Sequence, residues 1–498
     1  MDITLTKFHY KYLAYEHELL KLELQTLVPH VSYEDKGNQM LLHNVRISDV
    51  DLLKRLTYIA SYSINGVQYF THQYLLEQNN GQKLKRQNTR YASHGIHEYK
   101  GKFNPQIVHS LINIFGLSSQ DVVLDPFCGS GTTLLESTIC GIESFGIDIN
   151  PLAIQLSLLK TQILSVDCDD AKKALSQILI ALKIDRDSEY KEENSARYHY
   201  LQKWIPQDTL FVLERLLELL SGLDSTVALF FKLIASGLIR EYSLQEPLDL
   251  RIRKRKSPLP EQPFADAWAE TVMCQIERIG TAQCRLPLDQ LKSTATLGDI
   301  RNFQTNGKMF DVAITSPPYA TALPYIDTQR ISLVWLGLCE PDEIMNLERS
   351  LIGSREFYKI QKEELHDKML MNEAELPQCV IEFVMYLHNK LSKQDGFRKK
   401  AVPLLLYRYF SDMKLMFNNV YTIMKPNAKY ALVVGCNRTT IGGELHTINT
   451  PEMLSEVGKQ CGWGVNDMFA LQTYQRYGLN AKNGINQEVL ILLEKDTN

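Results

Sequence analysis

Residues 121–150 read DVVLDPFCGSGTTLLESTICGIESFGIDIN. Two short apolar runs, Val122-Val123-Leu124 and Ser144-Phe145-Gly146-Ile147, have the length and texture of buried parallel strands. Between them come a turn of small residues, Cys128 to Thr132, and a helical segment, Thr133 to Cys140, with Gly141 as its stop signal. Each strand ends on an acid, Asp125 and Asp148. The pattern predicts a βαβ unit whose glycine turn sits at the carboxyl end of the first strand, where open α/β sheets bind ligands. Gly129 and Gly131 let the backbone approach a ligand closely, because neither carries a Cβ. An acid after the second strand suits a pair of ribose hydroxyls. No third glycine stands at the dinucleotide spacing and no Gly-Lys-Ser/Thr follows, so a nucleoside without a pyrophosphate fits best.

A second signature is FDVAITSPPY, residues 310–319. Asp311 to Ile314 reads as a buried strand, with Thr315-Ser316-Pro317-Pro318-Tyr319 at its carboxyl end. Two consecutive prolines stiffen this loop and remove two amide donors, leaving carbonyls free to accept from an NH2 group. The Ser316 hydroxyl and the Ser316 or Pro317 carbonyl supply such acceptors, and Tyr319 supplies an aromatic face on which an extruded base can stack. A structural double-proline turn explains the stiffness, but neither the serine before it nor the aromatic after it.

The two stretches, Asp125-Pro126-Phe127-Cys128-Gly129-Ser130-Gly131-Thr132 and Ser316-Pro317-Pro318-Tyr319, resemble the cofactor loop and the catalytic motif of the S-adenosylmethionine-dependent DNA amino-methyltransferases. Upstream, KGKFNPQIV (residues 100–108) is similar to the segment that in this family packs beside the methionine end of the cofactor. The resemblance implies a doubly wound, Rossmann-like α/β sheet and S-adenosyl-L-methionine as cofactor. It implies cofactor contacts at Lys102, Phe103, Asp125, Phe127, Gly129, Gly131, Thr132, Asp148 and Asp299, and catalytic roles for Ser316, Pro317, Pro318 and Tyr319. At Asp299 a helix N-cap is the competing reading. The serine form of the second motif is most typical of enzymes acting on cytosine N4, whereas Asp-Pro-Pro-Tyr is commoner for adenine N6. Neither a Pro-Cys nucleophile nor a Glu-Asn-Val string occurs, so methylation at cytosine C5 through a covalent intermediate is disfavoured. The expected partner is duplex DNA with a flipped base, in a restriction-modification setting with cognate restriction or defence proteins. Three other readings stay open: adenine-N6 methylation of DNA, guanosine-N2 methylation of RNA, and a silent nucleic-acid-binding subunit.

The 498 residues suffice for two or three domains. We expect an N-terminal accessory α/β module (1–85, ferredoxin-like), a cofactor half (86–165), a helical insertion (166–290) and a catalytic half (291–498). The N-terminal module faintly resembles those of tRNA guanosine methyltransferases. The insertion carries Arg251, Arg253, Lys254, Arg255 and Lys256 before two prolines, which reads as an extended cationic loop that either contacts a nucleic-acid backbone or is simply solvated. The linker residues Lys83, Lys85, Arg86 and Arg90 invite the same pair of readings. The polar stretch 340–400 competes with the insertion as the target-recognition region.

Composition, at 44% apolar and 22% charged residues, is that of a soluble globular chain, and the net charge of −4 confines any nucleic-acid contact to local patches. Nine scattered cysteines without a Cys-x-x-Cys pair point to neither zinc nor disulfides, and with the unremarkable N-terminus the expected location is the cytoplasm.

Overall fold

A computed structural model describes residues 1–78, 86–184, 194–249, 251–286, 292–320, 325–356, 359–472 and 487–496. Lys83 and Lys85 lie outside the described residues. The central sheet has seven strands: β6 (Val122–Asp125), β7 (Glu143–Asp148), β8 (Ser293–Leu297), β9 (Phe310–Thr315), β10 (Met424–Gly435), β13 (Trp463–Gln472) and β14 (Gln487–Lys495). Their spatial order is β13-β14-β10-β9-β6-β7-β8. The five strands from β10 to β8 pair in parallel, while β14 runs antiparallel to both β10 and β13. This is a doubly wound α/β sheet, and its strand order reverses between β6 and β9. Such a reversal opens a crevice at the carboxyl ends of the two strands.

Period-two alternation assigns the faces of the sheet. Val123, Val312, Ile314 and Val433 point to one side, where the helices Ala14–Leu27 and Pro105–Ile114 cover them. Leu124, Ala313, Leu432 and Val434 point to the other, packed by the helix Val402–Ile423 and its neighbours. The turn signals act as their chemistry requires. Asn104 and Asn150 cap the helices that begin at Pro105 and Pro151, each accepting from a backbone N–H two residues on.

The N-terminal strands β1 (Ile3–Lys7), β2 (Ser32–Asp35), β3 (Gln39–His43), β4 (Ile59–Ile64) and β5 (Val67–Phe70) form an antiparallel sheet of order β2-β3-β1-β4-β5. The β1-helix-β2-β3-short helix-β4 succession with the order 2-3-1-4 is the split-βαβ arrangement of ferredoxin-like folds. This unit does not stand apart. Its apolar residues join one continuous core with the first face of the main sheet, because Ala14–Leu27 and Pro105–Ile114 are packed there together.

Residues 168–285 supply the helices Cys168–Ile184, Ala196–Gln202, Gln207–Leu220, Ser225–Tyr242 and Phe264–Arg285. They pack on the helices Thr132–Ile139 and Pro151–Gln162 through Leu135, Leu152, Leu156 and Leu159. Within the stretch 340–400, Val380, Ile381, Val384 and Leu387 of the helix Gln378–Asn389 are buried in the second-face core.

Packing corrects the expectation of an extended cationic loop at 251–256. Gln245 and Lys254 form an antiparallel bridge, and the Arg255 guanidinium is buried, donating to the carbonyls of Glu241, Ser243, Ser257 and Pro258. Turn carbonyls without intrachain amide partners need a donor, and a five-donor fork satisfies several together. Lys254 lies over the Trp204 ring, 4.5 Å from its centroid, and donates to the Lys203 carbonyl.

Candidate active site

The glycine turn is built from three directions. Gly131 has φ +74°, and a Cβ there would lie 2.6 Å from the Ser157 Cα, so no side chain fits. Ser157 Oγ donates to the Gly129 carbonyl at 2.9 Å, and the buried Lys160 Nζ donates to the Ser130 carbonyl at 2.6 Å. From β7, Asp148 Oδ2 accepts the Gly129 N–H at 2.9 Å while Oδ1 accepts that of Asn150 at 2.9 Å. Burial, opposed by these amides, leaves the Asp148 carboxyl pushed up to about 6.

A cleft of about 760 Å³, including its open mouth, lies at the switch point. Phe127, Gly129, Asp148, Asp299, Ser316 and Pro318 all line it, so both signatures share one cavity. The other site residues lie behind its walls. Asp125 accepts from Phe127 N and from Thr315 Oγ1 at 3.1 and 2.6 Å, and burial pushes its carboxyl up to about 6. Gly131 and Thr132 are buried at the helix start, and Pro317 is not part of the lining.

Lys102 and Phe103 do not reach the cleft, contrary to what the resemblance implies. Lys102 Nζ donates to the carbonyls of Thr89 and His94 at 2.8 and 3.2 Å, and burial pushes its ammonium down to about 7. Phe103 packs on the N-terminal core. From the same segment Tyr99, Lys100 and Gly101 line the cavity instead, with the Tyr99 ring over Gly129. His94 and His97 are structural. His94 Nε2 and His109 Nδ1 meet the buried Glu136 at 2.7 and 2.9 Å, and His97 lies between the Glu98 carbonyl and Ser236 Oγ. Burial raises Glu136, yet the hydrogen bonds from His109 and His94 prevail and hold it at about 2.

At the second signature, Ser316 Oγ donates to the Val433 carbonyl at 3.0 Å, which leaves its lone pairs available. Tyr409 OH donates to the Pro318 carbonyl at 3.0 Å. The half-buried Tyr319 ring packs against the second-face core and is not part of the cleft lining, and its hydroxyl donates to Glu488 of β14, whose carboxyl burial pushes upward. Tyr325 lines the cleft, whereas Asp327 pairs with Arg330. Asn437 and Arg438 run into a separate hairpin, β11 (Asn437–Ile441) with β12 (Glu444–Ile448).

Sequence reasoning missed Glu488, Arg301 and the wall formed by Ser350, Leu351 and Ile352. Only the acid opening the apolar run of β14 gave any local signal. The structure also brings basic residues together. Burial, then the like charges of Arg251 and Arg398, push Arg355 below the usual guanidinium value, so cations from three segments lie near enough to repel one another.

The cavity suits S-adenosylmethionine chemically. Carboxylates of Asp148 and Asp299 can accept from hydroxyl and amino groups, and Ile149, Ile300 and Phe127 offer apolar surface to a purine. Among the described residues no group of three His, Cys, Asp or Glu could hold a metal, and no helix is long and apolar enough to cross a membrane.

A family model described as DNA methylase matches residues 33–158, from β2 through the glycine turn and β7 into the helix Pro151–Gln162. The chain is 25% identical to the type II methyltransferase M.BsoBI of Geobacillus stearothermophilus, across 70% of this chain and 74% of that protein. It is 24% identical to the type II methyltransferase M.MvaI of Kocuria varians, across 75% of this chain and 82% of that one. A crystal structure of TrmN from Thermus thermophilus is similar at a TM-score of 0.35 and 9% identity, covering 99% of this chain and 100% of the other. The family match and the two relatives support the S-adenosylmethionine-dependent DNA amino-methyltransferases as this chain's family and S-adenosylmethionine as its cofactor.

Proposed function

We propose that this chain is a site-specific DNA methyltransferase that transfers a methyl group from S-adenosylmethionine to the N4 amino group of a flipped cytosine. The observation that carries this reading is the single cleft onto which Ser316 and Pro318 open together with Gly129 and Asp148. When bound, the cofactor supplies an electrophilic methyl group on a sulfonium.

The chain's own residues do the rest by orientation. Ser316 Oγ and the Ser316 or Pro317 carbonyl accept the two amino hydrogens, which turns the nitrogen lone pair away from the base plane. Tyr319 supports the base by stacking, and its tie to Glu488 sets the ring plane. Phe127, Gly129, Asp148 and Asp299 are assigned to the cofactor, with Asp125, Gly131 and Thr132 shaping the turn behind them.

Arg251, joined by Arg355 and Arg398, is assigned to DNA phosphates, with exposed Arg253 and Lys256 flanking them. The same reading includes cognate restriction or defence proteins as cellular partners.

Nucleoside mass spectrometry of genomic DNA from cells expressing the chain, beside a Ser316→Ala control, tests this. N4-methylcytosine that disappears in the control is the expected result. N6-methyladenine would keep the mechanism and replace the base. Unmodified DNA with N2-methylguanosine in RNA would overturn the DNA assignment.

A further inference from the structure

The helix Val402–Ile423 carries Arg408, Asp412 and Asn419, whose spacings of four and seven residues place them on one face. That face holds two irregular segments, 298–303 and 350–356. Arg301 connects them. Its Nε and Nη2 engage both oxygens of Asp299, at 2.9 Å to Oδ1 and 2.6 Å to Oδ2. Its Nη1 donates to Asp412 at 2.8 Å and its Nη2 to the Ser350 carbonyl at 2.8 Å. Asn419 Nδ2 donates to the carbonyls of Ile300 and Phe303 at 2.8 and 3.0 Å, and Arg408 to those of Ser354 and Glu356. Asp299, Ile300, Ser350, Leu351 and Ile352 all line the cleft. This wall has no strand or helix ladder of its own, so side-chain donors set its shape.

We propose that Arg301 is the positioning residue for the purine end of the cofactor cleft, fixing Asp299 so that the outward lone pair of its Oδ2 accepts an exocyclic amino group. The inference rests on S-adenosylmethionine as the ligand and deepens that reading. The guanidinium fork engages Asp299 along one edge and the Arg301 backbone N–H also donates to Oδ1 at 3.0 Å, so the outward lone pair of Oδ2 is the one left to accept. It also separates two carboxylates, Asp299 and Asp412, that would otherwise repel each other across the wall. The segment 350–356, inside a stretch whose sequence suggests target recognition, thereby serves the cofactor.

Calorimetric titration of the full chain with S-adenosylhomocysteine and with its inosine counterpart, which replaces the 6-amino group by a carbonyl, tests the assignment without turnover. The wild-type chain is expected to prefer the adenosyl ligand at least tenfold. Arg301→Ala should lose that preference by weakening the adenosyl ligand alone, and Asp299→Asn should behave alike. Arg301→Lys, which keeps the charge but not the fork, should fall between and carries the test if the alanine variant does not fold. Equal weakening of both ligands in Arg301→Lys, or an unchanged preference, would overturn the proposal. A wild-type chain that binds neither ligand would instead overturn the cofactor reading on which it rests.

Discussion

Thr315 Oγ1 donates to Asp125 Oδ1 at 2.6 Å across 190 residues of sequence, joining the carboxyl end of β9 to that of β6. The bond spans the point where the strand order reverses, and it ties the base of the glycine turn to the base of the Ser-Pro-Pro loop. Asp125 also accepts from Phe127 N, so one buried carboxyl orients both loops. Thr315→Val should keep the volume and remove the donor. We expect a loss of about 1.5–3 kcal/mol in chemical denaturation, the worth of one hydrogen bond to a buried carboxyl that keeps Phe127 N as a partner. Cofactor affinity should fall with it, because Phe127 lines the cleft.

Asp148 is the acid best placed to report pH. Burial raises its carboxyl from 3.8 to about 6, and the same holds for Asp125. A carboxyl raised on folding binds more protons in the folded than in the unfolded chain between those values. Its contribution to stability is therefore full below about pH 4 and is lost as pH rises through about 6. Ligand binding runs the other way, since hydroxyl donors prefer the carboxylate. Cofactor affinity measured calorimetrically should weaken as pH falls through about 6. Asp148→Asn should bind weakly at every pH and lose that dependence.

Gly131→Ala places a methyl group 2.6 Å from backbone at Ser157 and holds alanine at φ +74°. Left-handed backbone costs about 1–2 kcal/mol and overpacking about 1–3 kcal/mol. The sum should appear as a matching fall in unfolding free energy, with weaker cofactor binding because the Gly129 and Ser130 carbonyls lose their fixed positions against Ser157 and Lys160.

Ser316→Ala removes a donor from the Val433 carbonyl and an acceptor from the cleft, while Asp148 and Gly129 lie elsewhere along it. Methyl transfer should be abolished, with cofactor affinity held within about tenfold, or ~1.4 kcal/mol. Tyr319→Ala should act likewise, and Tyr319→Phe should retain more activity because the ring remains. A single-turnover assay beside cofactor titration checks both, and loss of cofactor binding in either alanine variant would remove the assigned roles.

The two signatures were legible because their chemistry is local. A tight turn at a strand end needs glycine, and a stiff acceptor loop needs prolines, so neighbouring residues carry the whole message. What the sequence hid was assembled from distant parts. Arg301 and Asp412 are 111 residues apart, and each alone reads as a solvated charge. Lys102 stands in a segment that resembles a cofactor wall, yet the carbonyls of Thr89 and His94 claim its ammonium. The N-terminal module reads as an appendage, because nothing in residues 1–85 reveals that its first helix shares the cover of that face of the main sheet.

The basic run separates into residues with opposite fates. Arg255 is committed to four turn carbonyls, of which that of Ser243 is at a buried residue, so Arg255→Ala should destabilise the fold by about 1–3 kcal/mol, the cost of leaving a buried acceptor unpaired. Its effect on DNA affinity should follow only from that destabilisation. Arg251 and Arg398, from two other segments, act electrostatically on Arg355. Replacing Arg251 or Arg398 by alanine should leave thermal unfolding nearly unchanged while weakening DNA binding for all sequences alike. For every phosphate left without its cation, the slope of log affinity against log salt should become shallower by about 0.9. Fluorescence anisotropy with duplex DNA over a salt series makes the distinction, and a slope unchanged in both variants would place the DNA backbone on another surface.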